Sequence, residues 1–66
     1  KELIGIALSV YSLCERCIVW HVKYAIDAGA TRAEILEACE VTVIMGGGPA
    51  LMHMEIVLTA LKDLGL

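Results

Sequence analysis

Apolar residues recur at helical intervals through almost the whole of this 66-residue chain, in four blocks parted by short polar or glycine-bearing breaks. The first block, from about Lys1 to Tyr11, is apolar nearly all round (Leu3, Ile4, Ile6, Ala7, Leu8, Val10), the pattern of a helix covered on several sides. Ser12 ends it and starts the next. Ser12-Leu13-Cys14-Glu15 fits a capping box with the hydroxyl at the N-cap and Glu15 reaching back, which predicts a second helix from Ser12 to about Ala28, with Cys14 in its first turn. Gly29 follows as a left-handed stop. Thr31-Arg32-Ala33-Glu34 is a second capping box, opening a third helix that turns Ile35, Leu36, Cys39 and Val43 inward until Gly46. After the Gly46-Gly47-Gly48-Pro49 turn, Pro49 suits a first helical position, and Leu51, Met54, Leu58 and Leu61 make the expected buried stripe of a fourth helix that ends before Gly65. Nothing alternates with period two; the β-branched cluster Val41 to Ile44 is too short to outweigh the helical pattern around it. The expected fold is all-α, four helices in a single domain over residues 1–66.

Composition changes this picture in one respect. A chain this short buries only about 60% of the surface its unfolded form exposes, yet 59% of the residues are apolar and the mean hydropathy is +0.79. One small body cannot hide that much apolar surface, so an obligate homo-oligomer is expected. The longest apolar stretches, Leu3 to Val10 and Val41 to Met52, carry glycines and fall short of the ~18 uninterrupted residues of a membrane span. A net charge of −3, with five Lys or Arg spread along the chain, leaves no basic stripe for nucleic acid. The chain starts at Lys1 without a Met and enters helical pattern at once, a start consistent with the ordered or processed part of a longer protein. No charged-then-apolar leader opens it. Three cysteines, an odd number with one C-x-x-C, suit a catalytic pair in a reducing compartment better than a disulfide scaffold, so the cytoplasm is the expected location.

The chemistry concentrates in Cys14-Glu15-Arg16-Cys17-Ile18-Val19-Trp20-His21. Helical spacings of three and four set both thiols and the imidazole on adjoining parts of one face, and two cysteines one turn apart fall within the ~4.4–6.8 Å Cα separation a disulfide tolerates. With Ser12 as the corner of an antiparallel hairpin and 1.5 Å of rise per residue, Cys14 lies about 3 Å from the corner, Cys17 about 7.5 Å, His21 about 13.5 Å and Glu2 about 15 Å. Glu2 and His21 come out level. The order Glu2, His21, Cys17, Cys14 is that of a carboxylate orienting a base, a base serving a thiol, and a second thiol able to capture the first once oxidised. Singly, Glu2 reads as a first-turn charge, His21 as a hydrogen-bonded histidine and the cysteines as small hydrophobes; the combination is what points to chemistry. Which thiol attacks first stays open on local physics, because a helix N-terminus favours a Cys14 thiolate whereas His21 favours Cys17.

Other candidates carry less. Cys39 reads as core, His53 as structural, and Trp20 with Tyr24 as a packing pair or interface aromatics. The triple glycine lacks the Lys and spacing of a phosphate loop, so a tight turn or close contact is expected there and no cofactor.

In its opening apolar helix, the Glu2, Cys14-x-x-Cys17-x-x-x-His21 arrangement, the Gly29-Ala30-Thr31 turn and the Gly47-Gly48-Pro49-Ala50 entry to the last helix, the chain resembles the carboxymuconolactone decarboxylase superfamily, in particular its alkylhydroperoxidase D-like branch. The resemblance implies an all-helical subunit assembled as a trimer or hexamer, and a disulfide-cycling peroxidase. In that role Cys17 is peroxidatic, Cys14 resolving, and His21 and Glu2 relay the proton. The implied partners are a hydroperoxide substrate and a dithiol reductant, protein or small molecule. One departure stands inside the motif: the best-studied enzymes of the branch place a histidine where this chain has Arg16. Decarboxylase members lack the cysteine pair, which disfavours a lactone-acid substrate. A module holding a metal through Cys14, Cys17 and His21, with no evident fourth ligand for a structural zinc, a purely structural oligomer, and a carboxymuconolactone decarboxylase-like enzyme are the alternatives.

Overall fold

Four α-helices make up most of residues 1–66, all of which the computed structural model describes: α1 (Glu2–Tyr11), α2 (Glu15–Asp27), α3 (Arg32–Gly46) and α4 (Gly48–Asp63). They form a ring in which α1 packs on α2 and α3, and α4 closes the ring against the same two helices; α2 and α3 face each other across the diagonal and barely touch. No helix is long and apolar enough to cross a membrane.

The core is small. Ile6 and Val10 from α1, Ile18, Val22 and Ala25 from α2, Ile35 and Cys39 from α3, and Ala50, Val57, Ala60 and Leu61 from α4 form one buried cluster. Cys39 sits in it, as its apolar neighbours predicted. The α4 stripe, by contrast, differs from the expected one: Leu51 and Leu58 face outward, Met54 is only partly buried, and the inward face is Ala50, Val57, Ala60 and Leu61. Leu61 of the expected stripe is buried as predicted; where four helices converge on so short an axis, Ala50 and Ala60 let the backbones approach, and Leu51 and Leu58 stand at the rim.

Helix ends account for the breaks. Three of the four helices finish in a Schellman motif, in which a left-handed residue lets two further amides close back on the last turn. At α2 the left-handed residue is Gly29 (φ 98°), with Gly29 N–H donating to Ile26 O and Ala30 N–H to Ala25 O. At α4 it is Gly65 (φ 87°). At α1 it is Leu13 (φ 61°), with Leu13 N–H on Val10 O at 3.1 Å and Cys14 N–H on Ser9 O at 3.0 Å.

This last motif corrects the expected Ser12 capping box. Ser12 keeps helical backbone angles as the C-cap of α1, and its hydroxyl donates to Ser9 O at 3.3 Å. Cys14, with extended angles (φ −98°, ψ 97°), is the N-cap of α2, so α2 starts at Glu15 and Cys14 stands just outside the first turn. The Thr31 box forms as expected: Thr31 Oγ1 accepts from Glu34 N–H at 3.2 Å and Glu34 Oε1 from Thr31 N–H at 2.8 Å. Gly47 (φ 70°) alone separates α3 from α4, and Pro49 sits in the first turn of α4, one residue inside its Gly48 start.

Candidate functional site

The hairpin of α1 and α2 brings the predicted residues to one place. Antiparallel packing about the Ser12–Cys14 corner carries Glu2, in the first turn of α1, to His21 on the second turn of α2, with Nδ1 and Oε1 3.1 Å apart. An ionised carboxylate only accepts, so Nδ1–H donates to it, and in the neutral ring the lone pair is left on Nε2. Both side chains stay about one-third exposed, which leaves the imidazole open to water on one side. Tyr24 meets the ring edge-on at 6.4 Å between centroids. The other side of the ring rests on α1 at Gly5, a residue the sequence pattern did not single out.

Cys14 and Cys17 are joined in a disulfide across the first turn of α2, with Cα atoms 5.3 Å apart. Cys14 Sγ also accepts the Cys17 N–H at 3.3 Å, filling the role an N-cap oxygen usually has. Both cysteines are partly accessible, and His21 follows Cys17 by one helical turn. The sulfur of Cys14 thus lies at the positive end of the α2 dipole, while Cys17 lies nearer the histidine. Arg16 projects to solvent between them, with no carboxylate within ion-pair distance.

The remaining candidates lie elsewhere. Cys39 is buried and reduced; burial, with Glu40 adding a smaller repulsion, pushes its thiol from 9.0 up to about 11. His53 donates from Nδ1 to Pro49 O at 2.9 Å, a contact within its own helix. Trp20 and Tyr24 stack at 5.8 Å between centroids on the outer face of α2, with the Lys23 ammonium 5.8 Å above the Trp20 ring. No three His, Cys, Asp or Glu side chains converge as metal donors. A cleft of about 560 Å³ between α2 and α4 is lined by Val19, Trp20 and Ile56 and includes none of the thiols, His21 or Glu2. A smaller one of about 410 Å³ is bordered by Glu2 with Lys1, Ala28 and Gly29.

Known proteins share this architecture. Residues 1–60 match the carboxymuconolactone decarboxylase family. The apo crystal structure of lpg0406, a carboxymuconolactone decarboxylase family protein from Legionella pneumophila, superposes with a TM-score of 0.92 over 98% of this chain and 58% of its own, at 40% identity. An uncharacterized protein of Cupriavidus necator is 40% identical over 53 residues, 80% of this chain and 47% of that one. The protein named uncharacterized protein 4 in cox locus, from Paracoccus denitrificans, is 38% identical over 97% of this chain and 58% of its own. The chain therefore spans about half the length of the curated relatives it matches. With four helices in the same arrangement and the C-x-x-C-x-x-x-H run on the second, the chain belongs to the carboxymuconolactone decarboxylase family, on its alkylhydroperoxidase D-like branch.

Proposed function

We propose that the protein is a thiol peroxidase that cycles between a dithiol and the Cys14–Cys17 disulfide. The observation that carries this reading is the Glu2–His21 couple, Oε1 to Nδ1 at 3.1 Å, standing one helical turn from a cysteine pair at disulfide distance. His21 Nε2 takes the proton of the Cys17 thiol, directly or through a water, and Glu2 stabilises the imidazolium that forms. The Cys17 thiolate attacks the distal oxygen of a hydroperoxide; the O–O bond breaks, the alkoxide leaves and takes a proton to become an alcohol, and Cys17 becomes a sulfenic acid. Cys14 attacks that sulfur, the S–S bond forms and water leaves. A dithiol, protein or small molecule, then reduces the disulfide, becoming a disulfide itself and restoring both thiols. The helix dipole at the N-cap favours a Cys14 thiolate in either role, so the assignment of Cys14 as resolving rests on the place of Cys17 nearer His21 and on the family resemblance.

The exposed apolar side chains support assembly as a homo-oligomer, a trimer or hexamer. Ile4, Leu8 and Tyr11 form a stripe along α1, and Val41, Ile44 and Met45 face outward from α3, with Ile44 82% exposed. A chain with so small a core is stabilised when copies cover such surface. A dithiol cycle suits a reducing compartment, so the reading places the protein in the cytoplasm.

Mass spectrometry of the reduced protein after one equivalent of hydrogen peroxide tests the reading. Loss of two hydrogens with a Cys14–Cys17 linked peptide is expected; persistence of both free thiols overturns it. Sedimentation analysis at micromolar protein tests the assembly, a monomer being the adverse result.

A further inference from the structure

Glycine is the poorest helix former after proline, and Gly5 stands inside α1 with no turn to make there. Its surroundings supply a reason. A Cβ built on Gly5 would lie 2.6 Å from His21 Nδ1, 2.9 Å from Cε1 and 3.2 Å from Cγ, all atoms of one imidazole ring. Ordinary carbon contact begins near 3.5 Å, so any larger residue drives the ring away from α1 by about 1 Å. The atom struck hardest, Nδ1, is the one that bonds Glu2, and Glu2 lies one turn from Gly5 on the same helix. A retreat of that size from 3.1 Å carries the pair beyond hydrogen-bond range.

We propose that Gly5 is a positioning residue: its missing side chain lets the His21 imidazole rest on the α1 backbone, where Glu2 can hold Nδ1 and leave Nε2 for the Cys17 thiol. The proposal rests on reading His21 as the base for Cys17, and its test separates the two. Against the ring stand Glu2 of α1, which bonds Nδ1, and Tyr24 of its own helix, which meets it edge-on.

The test is a four-member set, wild type, Gly5→Ala, His21→Ala and the double variant, compared at one protomer concentration. With the ring present, Gly5→Ala should lower the melting temperature. With the ring removed, the same substitution should raise it by about 4 °C, because alanine is then only a better helix former. In the reduced protein, iodoacetamide alkylation followed at Cys17 should slow at least ~5-fold in Gly5→Ala at pH 7. Its pH profile should move to higher pH as for Glu2→Gln, and Gly5→Ala should add nothing in the His21→Ala background. A Gly5→Ala variant that melts higher than wild type, or that alkylates with the wild-type rate and profile while His21→Ala is slowed, overturns the proposal. If His21→Ala itself alkylates like wild type, the base assignment falls instead. None of these measurements needs peroxide turnover.

Discussion

Glu2 and His21 stand nineteen residues apart in the chain and 3.1 Å apart in space, on two helices that meet at a corner ten residues away from Glu2. The pair is a hydrogen bond to a carboxylate at a site about one-third exposed, so its value lies in orientation more than in stability. Glu2→Gln keeps the size of the side chain and removes its charge. Peroxide consumption is expected to fall at least ~10-fold in this variant and ~100-fold or more in His21→Ala, with the helical circular dichroism of both unchanged. Wild-type turnover in either variant would remove that residue from the relay.

The two thiols are expected to fail differently. Cys17→Ser removes the sulfur that stands one helical turn before His21, so peroxide consumption should vanish. Cys14→Ser leaves the attack but not its resolution, so one equivalent of peroxide should be consumed and a dimedone-trapped sulfenic acid should appear at Cys17. Trapping at Cys14 in Cys17→Ser, with turnover retained, would reverse the assigned order.

Leu13 holds a left-handed backbone that glycine adopts without strain. Leu13→Gly should be neutral or stabilising by up to about 1 kcal/mol, whereas Leu13→Val, whose branched Cβ crowds that conformation, should cost about 1–2 kcal/mol. Urea unfolding of the reduced proteins reads both. Equal stability for the two would show that the turn is not the source of the strain.

Cys39 gives an alkaline limb to the stability curve. Its folded thiol, raised to about 11 by burial and by the nearby Glu40, stays protonated while the unfolded chain ionises near 9.0. Stability from this group is whole below pH 9 and falls as the pH climbs to 11, by up to about 3 kcal/mol. Cys39→Ala should flatten that limb. At pH 7.5 the reduced native protein should offer two thiols to Ellman's reagent and a third only in denaturant; three rapidly reacting thiols would contradict the burial.

How far the chain announces this structure depends on how local each signal is. The Thr31–Glu34 box is read correctly because both partners sit within one turn and their bonds are the whole motif. Glu2 and His21 emerge nearly level from a count of helical rise; the corner spread over Ser12 to Cys14 shortens the His21 arm by two residues, about 3 Å, an offset within the reach of the two side chains that meet. Ser12 is misread because the residue that ends α1, Leu13, is left-handed without being glycine, and a leucine carries no sign of that. The α4 face is misread because hydrophobic bulk points to Leu51 and Leu58, whereas close packing selects Ala50 and Ala60. Gly5 is silent in the pattern: its contribution is an absence of atoms, visible only once His21 is seen against it.

Cys14 is at once the residue that completes the end of α1, the cap of α2 and one half of the disulfide. Opening and closing of the disulfide at this sulfur would therefore be coupled to the folding equilibrium of the turn around it. Reduction turns a sulfur tethered to Cys17 into a free thiol or thiolate, and the amide of Cys17 that points at it experiences the difference. By thermodynamic linkage, whatever frays or tightens the first turn of α2 shifts the midpoint at which the pair is oxidised. In the proposed cycle, the backbone of that turn would tune the redox poise without a change to either cysteine.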